Sequence, residues 1–324
     1  MGKNHSLLKA KANKNDEFYT QYADIEAELS HYDTFLQGKS IYLPCDNPYQ
    51  SQFFTYFVRQ FNRLGLKQLI ATCYDTAFSQ LSLFEDYDDS GALISKPKAA
   101  YKVVINEVKA GQTIQELVKS RVNTLTLLNG NGDFASAECV ALMKQADVVV
   151  TNPPFSLFRV LLHLLRALEK DYVLLGPSQG ITYAEAFQMF QLGELYLGFT
   201  PFSSSLKFEV PRGSPYDMVR EGKFYKAVPI AWVTSFKLDI RPPRLSLKAV
   251  FDPKLYLTLD GNEAILNVDA LAEIPKDYFG KLAVPITFLK FWNREDFRIL
   301  GQIEKACVGG QEKFTRLLIQ RIKK

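Results

Sequence analysis

Cysteine and histidine are scarce in this chain, four and three among 324 residues. Cys45, Cys73, Cys139 and Cys307 form no CxxC pair, and His5, His31 and His163 are scattered, so neither a zinc site nor a disulfide framework is expected. A Gly-x-Gly-x-x-Gly loop is missing where a first strand would turn into a helix, which counts against a dinucleotide enzyme. No apolar run approaches the ~18 residues of a membrane span. Met1 to Asn15 is basic and polar without the apolar stretch of a secretory signal, so the cytoplasm is the expected compartment. Internal repeats, heptads and low-complexity tracts are absent too. The net charge of +4 neither demands nor excludes a polyanionic partner, so the distribution of charge matters more than the sum.

What is present is an ordinary globular composition, 47% hydrophobic and 23% charged, sufficient for a sizeable core. The length suits about two domains or one elaborated domain. Strand-like and helix-like stretches alternate. Asp24 to Tyr32 reads as a helix and Ser40 to Leu43 as a first strand. Phe53, Phe54, Phe57, Val58, Phe61 and Leu64 then recur at helical spacing, and Gly65 closes that helix. Gln68 to Thr72 is a second strand. Tyr87 to Lys109 reads as a surface hairpin, and Thr124 to Leu128 as a third strand followed by a helix from Ala135 to Gln145. Later strands fall at Val148 to Val150, Tyr172 to Leu175, Glu194 to Phe199 and Val228 to Phe236, with helices at Ser156 to Lys170 and Tyr183 to Leu192. This alternation predicts an α/β fold, a Rossmann-like doubly wound sheet with an inserted hairpin. It divides the chain into a basic flexible arm (1–14), a core (15–198), and a loop-rich basic region that carries the last core strands (199–324).

The chain is organised around Asp147 to Phe155. A β-branched run, Val148-Val149-Val150, stops at Thr151-Asn152-Pro153-Pro154-Phe155. Two prolines cannot continue a sheet ladder, and each biases the residue before it toward extended geometry. The result is a stiff turn at the carboxyl end of a strand, the edge at which open α/β sheets bind ligands. A planar amine undergoing methylation needs acceptors for its two N–H protons. The Asn152 side-chain carbonyl and the Pro153 backbone carbonyl could supply them, while Phe155 could stack on the ring that carries the amine. The same residues also suit a turn that merely ends a strand, with Phe155 in the core.

Other candidates sit at neighbouring strand ends. Asp46 follows the first strand and suits an α-amino group rather than a phosphate, although a loop Asp is also an ordinary turn or cap residue. Asp75 follows the second strand, where an acidic group can bind ribose hydroxyls. In Asn129-Gly130-Asn131-Gly132-Asp133-Phe134 the glycines allow a tight loop. Asp133 could accept from an adenine amino group and Phe134 could stack on the ring, or the segment is a Gly-Asp turn feeding a helix. Arg159, His163, Arg166 and Lys170 form a polar stripe, so His163 is read as a stripe residue and not a catalyst. From Phe199 to Val250, nine Lys/Arg oppose four acids, Lys207, Arg212, Arg241 and Arg244 among them. Basic loops beside an active-site edge suit a phosphate backbone, while scattered cations alone mark a solvated surface.

Taken together, five segments resemble the S-adenosylmethionine-dependent adenine-N6 DNA methyltransferases, and within them the EcoRI-type modification methylase family. They are Asn15-Asp16-Glu17-Phe18-Tyr19-Thr20, Pro44-Cys45-Asp46-Asn47-Pro48, Asn131-Gly132-Asp133-Phe134, Thr151 to Arg159, and Ala283 to Leu289. The resemblance implies a site-specific methylase of the restriction-modification type, acting on double-stranded DNA with S-adenosylmethionine as cofactor and without a metal. It implies cofactor contacts at Phe18, Tyr19, Thr20, Asp46, Asp75, Asp133 and Phe134. Asn152, Pro153 and Phe155 would form the site for a flipped adenine, with Pro154 and the basic residues Lys207, Arg212, Arg241 and Arg244 meeting DNA. It further implies a monomer, no membrane partner, and a cognate restriction endonuclease acting on the same site. The competing readings are a methyltransferase of an RNA or protein amine, and a DNA-binding relative that has lost turnover.

Overall fold

The computed structural model describes residues 20–73, 100–210, 216–240 and 242–323. Phe18, Tyr19, Asp75, Arg212, Arg241 and the first arm of the expected hairpin lie outside them. Two compact units are present. One comprises the described chain up to Pro177, with Ser205–Val228 and Trp232–Phe236. The other comprises Ser178–Ser204, Pro229–Ala231 and the described chain from Lys237 onward.

The first unit is a mixed α/β structure on a large, mostly parallel sheet. Its elements are α1 (Tyr22–Leu29), β1 (Ser40–Leu43), α2 (Gln52–Leu64), β2 (Gln68–Cys73), β3 (Tyr101–Ile105), α3 (Ile114–Val118), β4 (Thr124–Leu127), α4 (Ala137–Gln145), β5 (Val148–Thr151), α5 (Phe158–Ala167), β6 (Asp171–Pro177), β7 (Ser204–Val210), β8 (Met218–Arg220) and β9 (Lys223–Thr234). The strands run in the order β4-β3-β2-β1-β5-β6-β9, and β2, β1, β5 and β6 are mutually parallel. Their burial explains their composition: β2 and β5 are covered on both faces and are mainly apolar, with Thr72 and Thr151 near their carboxyl ends as the buried polar exceptions.

Local chemistry sets the element ends. The Ser51 side chain accepts from the backbone N–H groups of Phe53 and Phe54 and starts α2. Phe53, Phe54, Phe57, Phe61 and Leu64 are buried along one side of it. Gly65, at φ 55°, ends it in the left-handed conformation that L side chains resist. At about 1.5–3 kcal/mol per buried large apolar side chain, that face is a principal anchor of the helix. Asp147 joins the starts of β1 and β5, accepting from the N–H and hydroxyl of Ser40 at 2.8 and 2.9 Å. Burial alone would raise its carboxyl, but these Ser40 bonds, with Lys67 and Lys39 nearby, hold it below its usual range. After β5, the 3-10 turn Phe155–Leu157 leads into α5. A Cβ at Gly176 of β6 would lie 2.4 Å from the Phe158 ring, so the absence of a side chain there seats the start of α5 on the sheet.

Several expectations need correction. Tyr101–Ile105 is a strand of the main sheet and not part of a surface hairpin: Tyr101, Val103 and Ile105 are buried and pair antiparallel with β2. β4 is an antiparallel edge strand beside it. Between Phe199 and Val228, expected to be loop-rich, β7 pairs with β9, and β8 pairs antiparallel with the start of β9. Their polar, exposed ends hide the alternation that would announce strands. The expected strand at Glu194 to Phe199 shrinks to Tyr196–Leu197.

The second unit also contains more sheet than its composition suggests. Strands Thr258–Leu259, Asn262–Asn267, Lys281–Pro285, Arg316–Arg321 and Phe297–Ile303 lie side by side in that order. Leu282, Val284, Leu317, Ile319 and Phe297 are buried, and Phe288 meets Phe297 edge-on at 5.1 Å. The Ala283 to Leu289 segment starts in this sheet. Among the described residues, no helix is long and apolar enough to cross a membrane and no cluster of His, Cys, Asp or Glu could hold a metal ion.

Candidate active site

β2, β1 and β5 are adjacent and parallel, so their carboxyl ends share one edge. The loop after β1 carries Asp46, which is 5% exposed. Ser51 Oγ donates to Asp46 Oδ1 and Thr151 Oγ1 donates to Oδ2, both at 2.6 Å. Ser51 therefore caps α2 and orients the carboxylate with one hydroxyl. The Asp46 backbone N–H donates to the Thr72 carbonyl at the end of β2, 3.2 Å away. Burial pushes the Asp46 carboxyl up to about 6, and the two hydroxyls oppose that shift. No cation is paired with it among the described residues.

The rest of this loop is pinned from β3. Tyr101 Oη donates to Asn47 Oδ1 at 2.9 Å, and the Tyr49 N–H donates to the same oxygen at 3.0 Å. Beneath it, the Tyr42 and Thr72 hydroxyls lie 2.8 Å apart, and Thr72 donates to the Pro44 carbonyl at 3.2 Å. A buried polar network of this kind fixes the loop instead of leaving it to solvent.

Asn152 follows Thr151 directly. Its Nδ2 donates to Thr20 Oγ1 at 3.2 Å, which connects the end of the N-terminal motif to the Asn-Pro-Pro-Phe turn. Asn152, Pro154 and Phe155 are half-buried and Pro153 is buried. Neither residue as a whole is closed inside the core, although the Asn152 Oδ1 atom itself is buried. Phe155 stands edge-on to Phe208 of β7, with centroids 6.3 Å apart.

The Asn131 to Phe134 loop reaches the same edge. Gly132 has φ +77°, and a Cβ there would lie 2.2 Å from the Cys73 carbonyl oxygen that ends β2. Only glycine permits both the conformation and the approach. Asp133 Oδ1 accepts from Ala135 N–H at 3.0 Å, and the Asp133 N–H donates to Asn131 Oδ1 at 3.1 Å. Asp133 is thus a turn residue with a half-exposed side chain, and Phe134 is 5% exposed. Lys207 is exposed on β7. Arg244, in the second unit, is exposed and ion-paired with Glu295 and Asp296. His163 lies on the exposed side of α5. Lys170 caps the end of α4, donating to the Lys144 and Ala146 carbonyls.

Sequence reasoning missed Ser51, Thr151, Asn47 and Tyr101. Ser51 had a usable signal, a hydroxyl immediately before a Phe-rich helix. Tyr101 and Asn47 had none, since 54 positions separate them.

A family profile described as adenine-specific methyltransferase EcoRI matches residues 6–322. The chain therefore belongs to the EcoRI family of adenine-specific methyltransferases and is an enzyme of that class. It is 34% identical to the Type II methyltransferase M.EcoRI of Escherichia coli, over 98% of this chain and 96% of the relative. It is also 34% identical to M.MpnI of Mycoplasma pneumoniae (91% and 85% covered), and 31% identical to M.MgeORF184P of Mycoplasma genitalium (98% and 99%), both Type II methyltransferases. No solved structure matches the chain.

Proposed function

We propose that this enzyme methylates the N6 amine of an adenine flipped out of double-stranded DNA, as the modification partner of a restriction endonuclease with the same site. S-adenosylmethionine, when bound, supplies the methyl group as a sulfonium. Asp46 fits that cofactor: it is a buried carboxylate, preset by two hydroxyls and lacking a cation, so a ligand ammonium would complete it. Asp133 and Phe134 hold the adenine end, and Phe18, Tyr19, Thr20 and Asp75 complete the pocket. The first unit is the Rossmann-like catalytic core, and residues 199–324 include the region that recognises the target.

One observation carries the reading. Thr151 and Asn152 are chain neighbours; the first hydrogen-bonds Asp46, and the second, its Nδ2 held on Thr20, carries the amide that would accept from the target amine. The cofactor carboxylate and the target amide thus share one strand end. The N6 atom cannot reach such a pocket from within a duplex, so the base leaves the stack. Phe155 stacks on it, and Asn152 and the Pro153 carbonyl accept the two N–H protons. The nitrogen lone pair then points away from the ring. Positioning and electrostatics supply the catalysis, and the extra proton leaves to water.

The test compares methyl transfer to duplex DNA, RNA and protein, with mass spectrometry of the digested product. N6-methyladenine in DNA is the expected product; methylation confined to RNA or protein would overturn the proposal. Asn152→Ala should bind S-adenosylmethionine normally yet lose about a hundredfold or more in kcat. Unchanged turnover would mean that the amide does not orient the amine.

A further inference from the structure

The second unit contains a cleft of about 420 Å³ whose lining includes Arg244, Lys276, Phe279, Asp296, Phe297 and Arg321. Phe297 and Arg321 are register partners on neighbouring antiparallel strands. The Lys276 N–H donates to the Ala249 carbonyl at 2.9 Å and ties the coil after Arg244 to the segment bearing Phe279.

The charges in this cleft are unequally satisfied. Arg244 takes up both neighbouring acids, Glu295 at 2.5 Å and Asp296 at 3.6 Å. Arg321, Lys276 and Lys323 have no ion pair among the described residues. The Arg321 guanidinium lies over the Phe279 ring at 5.1 Å, and the Lys323 ammonium approaches the same ring at 5.4 Å. Arg321 Nη1 is buried and has no hydrogen-bond acceptor among the described residues. A buried donor of this kind is costly unless an acceptor arrives. A guanidinium fork with two flexible ammonium groups matches the tetrahedral oxygens of a phosphate. Cations attend the Phe279 ring, so the cleft is better suited to a backbone anion than to a stacked base.

We infer that this cleft seats a backbone phosphate of the DNA substrate, with Arg321 as the principal donor and Lys276 and Lys323 as supporting charges. The inference rests on the reading of DNA as the substrate. It moves the phosphate contact away from Arg244, whose charge is already committed.

The experiment measures binding of a fluorescently labelled, mixed-sequence duplex as a function of salt. It uses the full chain and the variants Lys276→Gln, Arg321→Gln and, as an exposed control outside the cleft, Lys305→Gln. Each cleft variant should lose about tenfold in affinity at low salt and flatten the slope of log K against log salt by about one, while the control changes neither. S-adenosylmethionine affinity should stay unchanged in all three. Methylation of unmethylated bacterial genomic DNA by the unaltered enzyme is measured alongside. If it fails, the substrate reading falls. If it succeeds while the cleft variants match the control, the cleft assignment alone falls. Lys276 is exposed, so its variant decides the matter even if Arg321→Gln does not fold.

Discussion

Asp46 illustrates how one buried side chain couples stability to ligand. Its carboxyl is raised by burial from 3.8 to about 6. A carboxyl raised in the fold contributes stability below its unfolded value, and that contribution is lost as pH rises through the folded value. The unliganded enzyme should therefore lose stability between pH 3.8 and about 6 from this residue, and Asp46→Asn should flatten that part of a denaturation profile. The cofactor's ammonium needs the ionised form, so S-adenosylmethionine affinity should weaken as pH falls below about 6. Calorimetry across that range checks the second claim, and a pH-independent affinity would remove Asp46 from the amino-group site.

Short elements carry the site, and their ends are its most sensitive points. Ser51 both caps α2 and holds Asp46, so Ser51→Ala should cost about 1–2 kcal/mol in a urea titration and also weaken cofactor binding. A pure cap would show the first effect without the second. Gly132 is constrained by conformation and by contact together, so Gly132→Ala should destabilise by about 2–3 kcal/mol or displace the Asn131 to Phe134 loop from the end of β2. Thermal melts with and without S-adenosylmethionine separate those outcomes, because a displaced loop loses the ligand-induced rise in Tm. Normal stability and binding in Gly132→Ala would refute the close approach to Cys73.

For the molecule as a whole, a formal charge of +4 is small, and binding to DNA depends on where the cations stand. DNA affinity should fall steeply between roughly 50 and 200 mM salt through counterion release, while S-adenosylmethionine affinity changes little. Equal salt dependence for the two ligands would argue against a phosphate-contacting surface. Much of the first unit was legible because its signals are local. The helical Phe spacing over Gln52–Leu64, the closing Gly65 and the halt at Asn152-Pro153-Pro154 each depend on residues close in the chain. Val228 to Phe236 is legible as a strand and lies largely within β9, but Tyr101–Ile105 reads as part of a surface hairpin and β7, β8 and the start of β9 as loops, because antiparallel pairing depends on partners that the local pattern does not name.

The sequence by itself determined the parallel strand ends, the stiff Asn-Pro-Pro-Phe turn and, through its five motifs, the family. Those are properties of backbone restriction and short-range periodicity. Only the tertiary structure decided that Thr151 and Ser51 hold Asp46, that Thr20 meets Asn152, and that Arg244 is committed to two acids while Arg321 stands over Phe279. These are contacts between groups as much as 132 positions apart, made when parallel strands and packed loops bring distant polar atoms within hydrogen-bond reach.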